Sequence, residues 1–132
     1  MTSPIRVLLA EDSRFLRVAS TSVLETHGFK IFGAADGEQA LEIAAKEEID
    51  IVLLDLILPK IQGFEVLQRL RQDPRTVNVP VIVFTGITSQ HDFSAYAPVD
   101  FISKDSFILD QLITRINENL GKAAKPQQLA AL

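Results

Sequence analysis

The chain has 132 residues, a formal net charge of −4 and no cysteine. This length suits one domain with a single substantial core. The absence of cysteine excludes disulfides, thiolate metal sites and thiol nucleophiles, and the negative charge argues against a direct nucleic-acid partner. No signal-peptide pattern opens the sequence, and no apolar stretch approaches the roughly 20 residues of a membrane span. We therefore expect a cytoplasmic protein without membrane insertion.

Apolar runs alternate with amphipathic stretches along the chain. Clusters of β-branched and aliphatic residues predict strands at 5–10, 30–34, 50–55, 79–85 and 99–102. Apolar residues at helical spacing predict helices over 13–26, around 40–44, around 64–70 and over 106–120. Residues 89–96 carry few apolar side chains and predict only a short, weak fourth helix.

Several residues indicate where helices begin and end. Asp12 or Ser13 can cap the first helix, and Gly28 suits the left-handed conformation just past its end. Asp36 stands three residues before Gln39, which is the capping-box pattern.

The last helix is predicted to end at Gly121. Residues 1–121 would then form the domain, and residues 122–132 would form a disordered or frayed tail.

Most aromatic residues are interpreted as packing residues, including Tyr96. Phe15 and Leu16 open the apolar side of the first helix, which we expect to be buried. His27 and His91 stand alone without ligand partners and are interpreted as surface residues.

Five strand–helix units of this length predict an α/β fold. We expect a flavodoxin-like, doubly wound parallel sheet in the order 2-1-3-4-5, with helices on both faces and right-handed crossovers. In that order strands 1, 3, 4 and 5 are consecutive neighbours, about 4.8 Å apart.

Polar side chains stand at the ends of these four neighbouring strands. Glu11 and Asp12 follow the first, Asp55 ends the third, Thr85 ends the fourth and Lys104 follows the fifth. Open α/β sheets bind their ligands at this edge. Lys104 would start about 10 Å from Asp55 by backbone spacing, a distance that its long side chain can largely bridge.

Carboxylates this close repel one another and favour a hard cation. Mg²⁺ suits them because it prefers oxygen ligands and often binds through one or two carboxylates plus phosphate. Asp55 can then act as a nucleophile toward phosphorus and form an aspartyl phosphate. Lys104 supplies a positive charge and Thr85 a hydroxyl donor. Each residue alone fits helix capping, a turn or a solvated side chain, but the four together favour phosphoryl transfer.

The sequence contains the four motifs LLAEDS (8–13), VLLDLILPKIQG (52–63), PVIVFTG (80–86) and DFISK (100–104). Together they resemble the receiver domain of two-component response regulators, and the resemblance covers about residues 5–120. The resemblance implies that Asp55 accepts a phosphoryl group from a sensor histidine kinase or a histidine phosphotransfer protein. It also implies that Asp12, Asp55 and the backbone carbonyl of Ile57 ligate Mg²⁺, with Glu11 acting through water.

The same resemblance implies a switch made of Thr85 and Phe101, in which the hydroxyl moves to the phosphoryl group and the ring swings inward. The chain would be a stand-alone, chemotaxis-regulator-like receiver that docks to an unidentified output protein. It would promote only its own phosphorylation and dephosphorylation, so we expect no enzyme activity on other molecules.

Two alternatives stay open. A pseudo-receiver, a pure interaction module, would lack the acidic pair or the lysine, and all are present here. A haloacid-dehalogenase-type phosphatase would need an Asp-x-Asp pair after an early strand, whereas Leu56 and Ile57 follow Asp55.

Three features depart from the usual receiver pattern. In most members a proline follows the lysine and the peptide bond between them is cis, whereas here Asp105 follows Lys104. A cis bond before a residue other than proline costs about 2.5–4 kcal/mol, which argues for a trans bond in this loop. The stretch 85–104 is shorter by about three residues, nearly one helical turn, which predicts a stunted or irregular fourth helix. Ile57 and Ile87 stand where many members carry polar groups beside the hydrolytic water, which predicts slow loss of the phosphoryl group.

Overall fold

The structure is a computed structural model that describes residues 3–86, 92–104 and 109–123. Its five parallel strands lie in the order β2-β1-β3-β4-β5, so the predicted fold class and strand order are confirmed. None of the helices in these ranges is long and apolar enough to cross a membrane. The strands are β1 Arg6–Ala10, β2 Lys30–Ala34, β3 Ile51–Leu54, β4 Val81–Thr85 and β5 Val99–Ser103. The α-helices in the described ranges are α1 Arg14–Thr26, α2 Gly37–Lys46, α3 Gly63–Gln72 and α4 Leu109–Ala123.

Helices cover both faces of the sheet, which is why the central strands are continuous apolar runs instead of alternating ones. The layer under α2 and α3 includes Leu8, Val52, Leu54, Leu67 and Val83. The layer under α1 and α4 includes Leu24, Leu53, Ile82, Leu112 and Ile116. The polar residues that end the strands lie outside these two layers, at one edge of the sheet.

The predicted helix ends of α1 and α2 are confirmed. Ser13 caps α1 through its Oγ, which accepts a backbone N–H of the first turn, and Gly28 beyond the helix has a φ of 89°. In α2, Oδ1 of Asp36 accepts the N–H of Gln39 at 2.8 Å. The Gln39 side chain returns to the N–H of Ala35, one residue before the cap, at 2.9 Å.

Two predictions about helices are wrong. Phe15 is 80% exposed, because the buried stripe of α1 runs through Ser20 and Leu24. Phe15 precedes Leu24 by nine residues, which is two and a half turns, so the two side chains point in opposite directions. Helix α4 continues past Gly121 to Ala123, the last residue that the structure describes. A glycine inside a helix costs only about 1 kcal/mol relative to alanine, which the neighbouring turns outweigh.

The described part of the connection between β4 and β5 is irregular, as the sequence predicted. This part, residues 92–98, contains a single 3₁₀ turn at Ser94–Tyr96. Ile87 and His91 lie outside the described residues, as does Asp105, so the expected trans loop after Lys104 stays a prediction.

Candidate functional site

The carboxyl ends of four neighbouring strands meet at one edge of the sheet. The register pairs the last residues of β1 and β3, and it pairs Thr85 at the end of β4 with Ser103 at the end of β5. Glu11, Asp55 and Lys104 each follow one of these strands directly. The structure therefore brings the predicted site residues to one place.

Three carboxylates form the acidic part of this site. Oxygen atoms of Glu11, Asp12 and Asp55 lie within 4.8 Å of one another. Glu11 and Asp55 are buried, whereas Asp12 is exposed and leaves the cluster open to solvent on one side. An all-oxygen donor set with an open side fits Mg²⁺, which keeps several of its waters when it binds to proteins.

Lys104 joins the two buried carboxylates. Its Nζ donates to Oε1 of Glu11 at 2.6 Å and to Oδ2 of Asp55 at 2.8 Å. Two adjacent carboxylates are costly to bury unless a positive charge compensates them, and this ammonium does so. The side chain thus spans the two-strand separation that the sequence predicted it would have to bridge.

Burial and the ion pairs shift the pKa values of Glu11 and Lys104. Burial raises the pKa of Glu11, although hydrogen bonds from Lys104 and from the N–H of Ser13 act to lower it, and the charge of Asp55 raises it further. Burial alone would lower the pKa of Lys104, but its hydrogen bonds to Asp55 and Glu11 outweigh burial and raise that pKa. Lys104 therefore remains a positive charge at neutral pH.

The carboxylate of Asp55 is held from two sides. Its Oδ1 accepts the N–H of Ile57 at 3.1 Å, while its Oδ2 accepts from Lys104. Gly63, the first residue of α3, lies directly against its backbone, because a Cβ at position 63 would be 2.1 Å from the carbonyl oxygen of Asp55. This contact could not be read from the sequence, where Gly63 appears only as the last residue of the motif at 52–63.

Arg17 also reaches the site, and the sequence analysis missed it. Its Nη1 donates to the carbonyl oxygen of Glu11 at 2.7 Å and to that of Asp12 at 3.4 Å. The stem of the side chain runs past Gly33 of β2, where a Cβ would lie 3.4 Å from Cδ of Arg17. The sequence feature that could have indicated this contact is a basic residue in the second turn of the helix that follows the acidic pair.

Thr85 and Phe101 lie on the same face of neighbouring strands. Phe101 pairs with Val83 in the register, two residues before the pair formed by Thr85. Thr85 is buried, whereas Phe101 is 46% exposed, and we call this position of the ring outward. The Phe101 ring packs edge-on against Phe93, with 4.8 Å between the ring centroids.

Ile57 is half exposed, two residues beyond Asp55. Its partner in the predicted control of water access, Ile87, lies outside the described residues.

A family model described as the response regulator receiver domain matches residues 7–117. The DNA-binding dual master transcriptional regulator RpaA of Synechocystis sp. is 31% identical over 129 residues, which cover 95% of this chain and 53% of RpaA. The chain thus spans about half the length of that relative. Protein PilH of Pseudomonas aeruginosa is 34% identical over 87 residues, which cover 66% of this chain and 72% of PilH.

A solved structure of a receiver domain superposes well on this chain. The receiver domain of the sensor histidine kinase PA1611 from Pseudomonas aeruginosa superposes with a TM-score of 0.80 at 25% sequence identity. The alignment covers 89% of this chain and 98% of that one, and that structure holds a magnesium ion coordinated in its active site cleft.

Proposed function

This chain belongs to the response regulator receiver family of two-component signalling, and from that premise we propose that Asp55 is its phosphoacceptor. The observation that carries the proposal is the position of the Asp55 carboxylate between two acidic neighbours and the ammonium of Lys104. Phosphoryl transfer depends mainly on positioning and on neutralising negative charge. This site has a positive group within 3 Å of the proposed nucleophile and oxygen donors for a cation beside it.

Asp12, Asp55 and the carbonyl of Ile57 are the proposed Mg²⁺ ligands, with Glu11 acting through water. The support is the oxygen-only donor set and the exposure of Asp12, which lets waters complete the coordination. The magnesium ion in the PA1611 receiver domain adds to this support. When bound, the cation neutralises charge on the carboxylates and on the phosphoryl oxygens.

The transfer step follows from the groups around Asp55. A carboxylate oxygen attacks the phosphorus of a phosphohistidine, the new P–O bond forms, and the P–N bond of the donor breaks. Lys104 pairs with a carboxylate before transfer and with a phosphoryl oxygen after it, so its charge is compensated in both states. The hydroxyl of Thr85 donates to another phosphoryl oxygen.

The phosphoryl donor is a sensor histidine kinase or a histidine phosphotransfer protein. Phe15 and Val18 form an exposed apolar patch on α1, and Arg14 lies beside it. Exposed apolar patches mark interaction sites, and α1 begins at the acidic pair. A donor that covers this patch can therefore place its phosphohistidine over Asp55.

The phosphorylated chain acts on an output protein through Thr85 and Phe101. A phosphoryl group can shift a two-state equilibrium only if it interacts differently with the two states. Because both residues lie on one face of β4 and β5, movement of Thr85 toward the phosphoryl group frees space that the ring of Phe101 can enter.

The other two functions are supported less well. A pseudo-receiver has no need for a lysine that bridges two buried carboxylates, whereas Lys104 does so here. An aspartyl phosphatase of the haloacid dehalogenase type needs a second carboxylate two residues past the nucleophile, and Ile57 stands there. We therefore favour the role of a phosphoacceptor regulator over these two functions.

The test is incubation with acetyl phosphate and Mg²⁺ followed by intact-mass measurement. The unmodified sequence should gain one phosphoryl group, and Asp55→Ala should gain none. Asp50→Ala is the matched control, because Asp50 is an exposed carboxylate next to the opposite end of β3. Undiminished labelling of Asp55→Ala would contradict the assignment.

A further inference from the structure

A line of aromatic rings connects β5 with α3. The Phe93 ring contacts Phe101 edge-on with centroids 4.8 Å apart and an interplanar angle of 79°. It also contacts Phe64 of α3 at 5.2 Å and 88°. Phe64 in turn contacts Tyr96 at 5.4 Å and 89°. Edge-to-face pairs at these distances are favourable beyond the area that they bury.

Hydrogen bonds from α3 side chains hold the segment that carries Phe93 and Tyr96. Nε2 of Gln68 donates to the Tyr96 hydroxyl at 3.0 Å. The guanidinium of Arg71 donates to the carbonyl oxygens of Tyr96 at 2.7 Å and of Pro98 at 2.9 Å. These contacts hold the C-terminal end of the 3₁₀ turn, and the ring contact with Phe64 holds Phe93 just before its start, so Phe93 is anchored on α3 although its own segment is irregular.

Phe93 contacts the Phe101 ring in its outward position. Phe101 lies on the face of β5 that also carries Val99, and Val99 packs against the core layer under α2 and α3. If the Phe101 ring turns toward Thr85 on the neighbouring strand, it must leave the Phe93 ring. The edge-to-face contact is made in the outward position of Phe101, and we expect it to be lost in the inward position.

We propose that Phe93 is a latch that holds Phe101 outward and thereby restrains the switch in the unphosphorylated protein. This inference rests on the proposed function of Thr85 and Phe101. A contact that is made in only one of two states biases the population toward that state. The usual strength of an edge-to-face ring pair corresponds to about a two- to tenfold change in the ratio of the two positions.

The latch can be tested on the unphosphorylated protein by measuring the χ1 populations of Phe101 by NMR. Phe93→Leu keeps apolar bulk but removes the ring edge, and it should raise the inward-to-outward ratio of Phe101 about two- to tenfold. Phe93→Tyr keeps the ring and should restore the ratio of the unmodified sequence. Phe32→Leu is the matched control, because Phe32 is a half-buried ring that packs on the same core layer but lies on β2, the edge strand farthest from β5.

Phosphorylation provides the second readout. With acetyl phosphate and Mg²⁺, Phe93→Leu should be labelled faster than the unmodified sequence by a factor similar to its population shift, and Phe93→Tyr should not. An unchanged Phe101 ratio in Phe93→Leu overturns the latch, and Phe93→Met provides the same test if the leucine variant fails to fold. Absence of labelling in the unmodified sequence contradicts the proposed function instead, while the NMR populations still decide whether Phe93 holds Phe101.

Discussion

Nζ of Lys104 lies 2.8 Å from Oδ2 of Asp55, although 49 residues separate them in the sequence. The same ammonium lies 2.6 Å from Oε1 of Glu11. Both carboxylates are buried, so the stability of this edge of the sheet and its proposed affinity for a cation would depend on the same charges. Removing the lysine should therefore change the folding equilibrium and its response to Mg²⁺ together.

Lys104→Met should lower the free energy of unfolding by about 3 kcal/mol, because it leaves two buried carboxylates without their positive partner. Saturating Mg²⁺ should restore more stability to this variant than to the unmodified sequence, because a bound cation replaces part of the lost charge. Urea unfolding with and without Mg²⁺ measures both effects. Lys60→Met is the control, since the Lys60 side chain is 58% exposed and should change stability by less than about 0.5 kcal/mol. Equal losses in the two variants would contradict this account.

Gly63→Ala should be among the most destabilising single-methyl additions in the chain. The new Cβ would stand 2.1 Å from the carbonyl oxygen of Asp55 and 2.6 Å from Cα of Leu56, so backbone must move. We expect a loss of about 3 kcal/mol or more in urea unfolding, at the upper end for overpacking. Gly121→Ala adds the same methyl group inside α4 with nothing within 4 Å, and it should stabilise the protein by up to about 1 kcal/mol. A Gly63→Ala variant as stable as the unmodified sequence would show that α3 can move away freely.

The strand ends explain why much of the site could be predicted from the sequence. Asp55, Thr85 and Lys104 each stand at the end of an apolar run, and parallel strands bring their carboxyl ends to one edge. Local patterns do not specify the path of a side chain across another element. The contact of Arg17 with the carbonyl of Glu11 depends on such a path over β2, and it could not be predicted in this way.

The sequence predicted that the connection before β5 is irregular, but it did not predict how the side chains of that connection pack. Its shortness indicated a stunted helix, which the 3₁₀ turn at Ser94–Tyr96 confirms. The position of Phe93 between Phe64 and Phe101 is set by tertiary contacts of the segment with α3, and no periodicity encodes those contacts. Phe15 was predicted wrongly for a different reason, because an apolar residue on the side of α1 opposite the buried stripe was assigned to that stripe.

Asp100 should make stability depend on pH below about 4. Hydrogen bonds from Arg115 lower the pKa of its carboxyl from 3.8 to about 2, although burial opposes this effect, and Asn119 adds a further donor. A carboxyl whose folded pKa is lowered contributes stability above the unfolded pKa, and that contribution disappears as the pH falls through the folded pKa. At pH 7, Asp100→Asn should therefore lose about 1–2 kcal/mol. The difference from the unmodified sequence should shrink between pH 4 and pH 2 in thermal unfolding, and a difference that is constant across this range would contradict the assignment.

Phe15→Ala should separate phosphotransfer between proteins from phosphorylation by a small molecule. Phe15 is largely exposed, so its truncation should leave stability nearly unchanged. We expect about tenfold slower labelling by a phosphorylated histidine phosphotransfer protein, as for loss of a central apolar contact in an interface. Labelling by acetyl phosphate should stay unchanged. Val77→Ala removes an exposed apolar side chain elsewhere and should affect neither rate. Slower labelling by acetyl phosphate in Phe15→Ala would indicate damage to the site instead of loss of a docking contact.

Loss of the phosphoryl group should be slow, and Ile57 should be one reason. An aspartyl phosphate at the proposed acceptor Asp55 would be hydrolysed by water that attacks phosphorus in line, opposite the Asp55 oxygen. Ile57 stands two residues past Asp55 with half of its surface exposed, and its branched side chain offers no hydrogen bond to hold that water. Ile57→Asn combined with Ile87→Glu should accelerate decay after removal of the phosphodonor, because polar groups can orient the nucleophile. Ile57→Val, which keeps a branched apolar side chain, is the control and should leave the decay rate near that of the unmodified sequence. If the double variant decays at the original rate or more slowly, these two side chains do not control the access of water.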